Sequence, residues 1–180
     1  MNTTNTPKEI DDSVINFCKS ITPYSLPEYI QLRPESWCIP NECYNNVKQK
    51  VGKHGGKRQL GWRIQVMPDP YPKFMIEAVH HAIWISETGE KIDITPQPAS
   101  ANRIVFVSDD STKLGKYRIG EKYHALLSCP IVNEYVRLCN LESTKYLSKT
   151  ELIKTPNIPS ELLMKQRELL GQIIRKHGGK

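Results

Sequence analysis

The feature that most constrains the fold is a change in the spacing of apolar residues at a glycine pair, Gly55-Gly56. Before the pair, Cys43, Val47 and Val51 repeat at intervals of four, which predicts a helix of about three turns that stops at the glycines. After the pair, apolar residues alternate with polar ones and predict a strand with one buried face: Leu60, Trp62, Ile64 and Val66. A helix followed by strands favours an α+β fold.

Three further strands follow in the central part of the chain: 74–85, 91–95 and 103–107. Glu87-Thr88-Gly89-Glu90 predicts a hairpin turn between the first two of them. The proline-rich segments predict irregular chain, with a connection over 22–42 that contains Pro23, Pro27, Pro34 and Pro40 and a turn at Pro68-Asp69-Pro70-Tyr71-Pro72. The strands therefore form a meander in which neighbours pair antiparallel.

Helical spacing returns at both ends of the chain. Apolar residues predict one helix over 8–21 and further helices over 128–178. A length of 180 residues suits one domain with a core of reasonable size. We therefore expect a single domain over 1–180, with a catalytic-like core at about 37–108 and a C-terminal helical extension at about 128–178.

Composition narrows the class of protein. No apolar run approaches the roughly 18 residues of a membrane-spanning helix, and the polar start has neither the basic nor the apolar region of a signal peptide. We therefore expect a cytoplasmic protein with no membrane partner. Five cysteines form an odd set, which argues against a disulfide framework and predicts at least one free thiol.

Positive charge is concentrated in two stretches of a chain whose formal charge is +6. One lies between 45 and 63 and contains no acidic residue, and the other is the tail from 145 to 180. Such stretches attract acidic partners, nucleic acid included, although a solvated basic face has the same composition. No oligomeric state is indicated.

Three residues of the middle third have the chemistry of a nucleophile, its base and its orienter. Cys43 lies in the first turn of a predicted helix, His81 in a predicted strand and Asp93 in the next strand. The helix dipole favours a thiolate at a helix start, an imidazole can take the proton, and a carboxylate can orient the imidazole. A purely structural role is the alternative, because free cysteines are often buried apolar residues and the sequence Asp-x-Thr-Pro is favoured in turns.

The two adjacent histidines lie on opposite faces of their strand. His80 shares a face with Ala82 and Trp84, and His81 shares the other with Ile83 and Ile85. Only one of them can face the thiol, and spacing alone leaves the choice open.

Five short motifs together resemble a set of uncharacterised bacterial proteins. These are Cys-x-x-Asn-Val from Cys43, Gly-Gly, Gly-Trp, His-Ala-x-Trp from His81 and Asp-x-Thr-Pro from Asp93. The order of cysteine, histidine and aspartate is similar to that of papain-like and transglutaminase-like cysteine hydrolases. The resemblance covers about 37–108 and implies a papain-like core, in which an N-terminal helix carrying the cysteine packs on an antiparallel sheet carrying the histidine and the aspartate.

The resemblance also implies roles for individual residues. It makes Cys43 the nucleophile, His81 the base and Asp93 the orienter. The backbone N–H of Cys43 would supply one oxyanion donor. Side chains expected near this group, as further oxyanion donors or supports, are Asn41, Asn46 and His80, with Gln31 a more distant candidate.

The function that we expect is that of a cysteine-dependent hydrolase or acyl transferase acting on an amide, peptide or related acyl bond. Protease, deamidase and transglutaminase-like reactions share this chemistry, and none requires a cofactor or a metal. A protein or peptide is the expected substrate. The alternative is a zinc-stabilised or non-catalytic binding module that uses the basic surface, with Cys38, Cys43, His80 and His81 as potential ligands.

Overall fold

The structure is a computed structural model that describes residues 5–67, 71–97 and 102–178. The first three residues of the predicted turn over 68–72 and residues 1–4 of the polar start lie outside the described residues. The elements along the chain are α1 (Asp12–Ile21), β1 (Glu28–Leu32), α2 (Cys43–His54), β2 (Lys57–Val66), β3 (Met75–Ile85), β4 (Lys91–Asp93), β5 (Arg103–Ser108), β6 (Lys122–Ala125), α3 (Pro130–Glu142), a π-helical turn (Ser143–Leu147) and α4 (Ser160–His177).

The predicted α+β class is confirmed, but the sheet is not the simple antiparallel meander that the spacing favoured. The strands pair in the order β2-β5-β1-β4-β3-β6, and β3 also pairs with β2. This additional pairing closes five strands into a barrel. The pairing of β1 with β4 is parallel, whereas β3 and β4, which carry the candidate histidine and aspartate, pair antiparallel as expected.

Strand β1 corrects the prediction of an irregular connection over 22–42. Pro27 and Pro34 lie just outside the strand, where the N–H that proline lacks is not needed by the sheet. Within the strand, Ile30 is buried and packs with apolar side chains of β3 and β5: Ile83, Ile104 and Phe106. A proline-rich composition therefore concealed one of the strands of the barrel.

Contacts divide the described residues into two compact units. The Cys43 unit comprises residues 5–65, 80–97 and 102–112, and the Cys129 unit comprises 66–67, 71–79 and 113–178. The core of the Cys43 unit joins the buried face of α2 to β3 and β4, with Cys43, Val47, Ala82 and Ile92 among its residues. In the Cys129 unit, α3 and α4 pack around Phe74, Val132 and Ile173.

None of the helices in the described ranges has the length and apolar composition needed to span a membrane.

Candidate active site

Helix α2 is seated by close backbone contact at its C-terminal end. Gly55 and Gly56 both have positive φ, and a β-carbon on Gly56 would lie 2.2 Å from the carbonyl oxygen of Ile85 in β3. Trp84 of the same strand donates its indole N–H to the Gly55 carbonyl oxygen at 3.0 Å. The glycine pair is therefore required for the helix to end against β3.

The N-terminal end of α2 is held by the buried amide of Asn46. Its nitrogen donates to the Ile39 carbonyl oxygen at 2.8 Å and to the Thr95 hydroxyl at 3.2 Å, and its oxygen accepts from the Ile39 N–H at 3.1 Å. Thr95 lies two residues after Asp93, so this amide ties the start of the helix to the turn that carries the carboxylate. Asn46 therefore positions the start of α2, and both the nitrogen and the oxygen of its amide already have hydrogen-bond partners.

These contacts bring Cys43, His81 and Asp93 together. The Nε2 atom of His81 lies 3.0 Å from Oδ2 of Asp93, and His81 also interacts with the Cys43 thiol. Because Nε2 is engaged by the carboxylate, Nδ1 is the ring nitrogen left for the sulfur. All three residues are buried, with exposures of 6%, 4% and 0%.

The environment of His81 favours its charged form. Burial opposes the positive charge, but the Asp93 carboxylate and the Cys43 sulfur outweigh burial and raise the pKa of His81 to about 9. At neutral pH the imidazole is therefore protonated.

Asp93 holds the imidazole with one oxygen and the local turn with the other. Its Oδ1 accepts the Thr95 N–H at 3.0 Å, which ends β4 two residues before the predicted end of that strand at 95. Its Oδ2, which faces His81, also accepts from Nε2 of Gln97 at 3.2 Å. Gln97 was not predicted as a site residue, although its place just after the Asp-x-Thr-Pro motif was a usable signal.

His80 lies on the other face of β3 and contacts the next residue of α2. Its Nδ1 is 2.8 Å from the hydroxyl of Tyr44, and its ring packs edge-on against Trp62 with centroids 5.0 Å apart. The two histidines therefore contact consecutive residues of α2, and His81 is the one that contacts the thiol.

The start of α2 leaves backbone donors open for an anion. Cys43 is its first residue, and among the described residues no side chain caps the helix, since the Glu42 carboxylate instead accepts from the Asn45 amide at 2.7 Å. Asn41 is exposed with a left-handed φ of 65°, and Gln31 is exposed on β1. Neither has a contact that places its amide beside the thiol.

The ligands of the alternative zinc site do not converge. In the described ranges, no group of three or more His, Cys, Asp or Glu side chains is arranged to hold a metal ion. Part of the basic stretch is also engaged within the fold, because Lys50 is buried, pairs with Glu35 and lies 4.7 Å from the centre of the Trp84 ring.

The five free thiols differ in their surroundings. Burial raises the pKa of Cys18 and Cys139 to about 12 and also raises the pKa of Cys38, which holds these three in the neutral form. Among the described residues, Cys43 and Cys129 are the thiols that contact a histidine. No protein-family model, curated protein or solved structure matches this chain, so its function has to be inferred from its own residues and their contacts.

Proposed function

We propose that this protein is a cysteine-dependent hydrolase or acyl transferase of papain-like character, with Cys43 as nucleophile. The observation that carries the proposal is the buried imidazole of His81, which contacts the thiol on one side and the Asp93 carboxylate on the other. Covalent acyl transfer depends on this arrangement, in which a nucleophile contacts an acid–base group and a third group orients the acid–base group.

In the first half of the reaction, the Cys43 thiolate attacks the carbonyl carbon of an amide or related acyl group. The oxygen becomes negatively charged next to the N-terminus of α2, where the backbone N–H of Cys43 stabilises it. The protonated His81 then gives its Nδ1 proton to the leaving amine, and the bond between carbon and nitrogen breaks. The product is a thioester on Cys43.

In the second half, water or an amine attacks the thioester while His81 takes up a proton from the attacking group. The thiolate leaves, and the starting ion pair is restored. Hydrolysis and deamidation use water as acceptor, whereas transamidation uses an amine. A protein or peptide is the substrate class proposed for all three, and the site needs no cofactor for these steps.

The test is acylation by p-nitrophenyl acetate, an activated ester that reports thioester formation without knowledge of the natural substrate. We expect a burst of nitrophenolate and an acetyl group on Cys43 that hydroxylamine removes. Cys43→Ala removes the acetyl group at this position and, in a Cys129→Ser background, also abolishes the burst; thermal melting shows that this variant is folded. Cys129→Ser is the matched control, because it removes the other histidine-linked thiol and leaves the burst intact.

Two results would refute the proposal. One is acetylation of Cys129 with Cys43 unmodified. The other is a burst in the folded Cys43→Ala variant equal to that of the wild-type protein.

A further inference from the structure

A second thiol and histidine meet in the Cys129 unit. The Sγ atom of Cys129 lies 3.4 Å from Nε2 of His177 and 3.5 Å from Nζ of Lys176. Both basic residues belong to the last turn of α4, whereas Cys129 immediately precedes α3. Two basic side chains from one helix therefore converge on a sulfur at the start of another.

The backbone of α3 adds to this positive environment. Cys129 is the N-cap residue, Pro130 begins the helix, and the backbone N–H groups of Ile131 and Val132 belong to the first turn, at the positive end of the helix dipole. The hydrogen bond from His177, followed by these N–H groups and the Lys176 ammonium, lowers the pKa of Cys129 to about 6. The thiolate is therefore the main form at neutral pH.

Cys129 itself is only 4% exposed, and a surface depression of about 580 Å³ is lined by its neighbours along the chain. Its lining includes Ser128, which precedes Cys129, and Asn133, which lies one helical turn after it; Arg137 lies further along the same helix. The depression is large enough for a small peptide-sized molecule, and the Lys176 ammonium 3.5 Å from the sulfur favours a negatively charged one.

We infer that Cys129 is a second reactive thiol, independent of the Cys43 site, which forms mixed disulfides with small anionic disulfides of the glutathione type. The Cys129 thiolate attacks one sulfur of the oxidised reagent, the bond between its two sulfurs breaks, and the other half leaves as a thiolate that takes a proton from water. Cys129 is oxidised and the reagent is reduced, so no other oxidant is needed. A free thiol reverses the reaction.

The rate advantage of Cys129 over an ordinary cysteine is largest in mild acid. At pH 6 a thiol with a pKa of about 6 is about half ionised, against about one part in a thousand for an ordinary cysteine with a pKa near 9. The fraction of thiolate therefore differs by roughly 500-fold. The more acidic thiolate is also about 30-fold less nucleophilic, and the rate advantage is smaller by that factor. A net advantage of about 15-fold remains.

The experiment is treatment with oxidised glutathione at pH 6, followed by intact mass and peptide mapping. We expect one glutathione, on Cys129, and none in Cys129→Ser, which remains folded because serine is a favoured N-cap residue. His177→Gln slows the addition by up to about tenfold. Lys165→Gln is the matched control, since it removes a lysine of the same helix that pairs with Glu168 instead, and it leaves the rate unchanged.

A neutral reagent, 2-hydroxyethyl disulfide, tests the charge preference. We expect Lys176→Gln to slow the reaction with oxidised glutathione more than the reaction with the neutral disulfide. Equal slowing by both reagents, an unchanged rate in His177→Gln, addition to Cys43 in place of Cys129, or no adduct on the wild-type protein would each overturn the inference.

Discussion

The two units each hold a thiol beside a histidine, but the surroundings of the two pairs differ. His81 is buried between Cys43 and a carboxylate. The imidazole therefore has a thiol on one side and a group that orients it on the other. His177 is half-buried at the end of α4 and shares its sulfur with Lys176. A thiolate beside two basic side chains is reactive, whereas acyl transfer also needs an oriented group that moves a proton.

The largest expected effect separates the two adjacent histidines. His81→Gln should lower the rate of acylation of Cys43 by up to about a millionfold. This is the size of the loss when the histidine of a serine-protease triad is removed. His80→Gln should leave the rate within about tenfold, because His80 contacts Tyr44 and Trp62 instead. The measurement is the nitrophenolate burst of each variant; equal losses would show that the two histidines act together.

The next effect concerns the carboxylate. Asp93→Asn should slow acylation of Cys43 by about four orders of magnitude, because an amide donates where the carboxylate accepts from His81. Glutathione addition to Cys129 should not change.

Asp109→Asn is the matched control for loss of a buried carboxylate. Asp109 is 5% exposed and accepts hydrogen bonds from Trp62, Ser111 and Thr112. Its replacement should lower the melting temperature and leave acylation intact. If Asp93→Asn behaves in the same way, Asp93 is a turn residue, and a Cys-His pair replaces the triad.

The two pairs should have opposite effects on stability as pH rises. His81 has a raised pKa of about 9, so its contribution is complete below about pH 6.5 and is lost as pH rises through 9, by up to about 3 kcal/mol. Cys129 has a lowered pKa of about 6, so its contribution is present above about pH 9 and is lost as pH falls through 6.

Single variants separate these contributions in melting curves between pH 6 and 9. Cys129→Ser should lose stability more steeply than the wild-type protein as pH rises, and His81→Gln should lose less. The His81 contribution corresponds to roughly 6 to 12 °C for a chain of this length. Parallel curves for all three proteins would contradict the assignment of charge to both pairs.

The smallest effect concerns Gln97. Gln97→Ala removes one hydrogen bond from the Asp93 carboxylate and should slow acylation by about tenfold, since such a bond to a charged group contributes about 1.5 kcal/mol. Gln59→Ala is the control, because that amide donates at 2.8 Å to Asp110, an exposed carboxylate. A loss equal to that of Asp93→Asn would mean that Gln97 does more than support the carboxylate.

Local patterns predicted the elements better than their pairing. Helix α2 and strands β2 to β5 follow from apolar spacing, which depends only on which face of each element is buried. Strand β1 has prolines on both sides, and β6 has four residues, so neither has a strong pattern. Closure of the barrel depends on which strands pair with each other. The spacing of apolar residues within one strand does not predict its partners.

The same limit applies to the sites. Cys43, His81 and Asp93 could be named because each belongs to a short motif on a predictable element. The contact of Cys129 with His177 joins residues 48 positions apart on different helices. The Cys129-Pro130 sequence was a usable sign of a helix start, but neither the basic side chains nor their direction could be read from spacing.

The close approach at Gly56 makes the geometry of the thiol depend on a residue at the far end of its helix. A helix of 12 residues is about 18 Å long, so a tilt of about 5° at Gly56 would move Cys43 by roughly 1.5 Å. Displacements of about 1 Å can cost a reaction about a hundredfold in rate. Even a single added methyl group there, 2.2 Å from the Ile85 oxygen, would therefore misalign the thiol with its imidazole without touching either group.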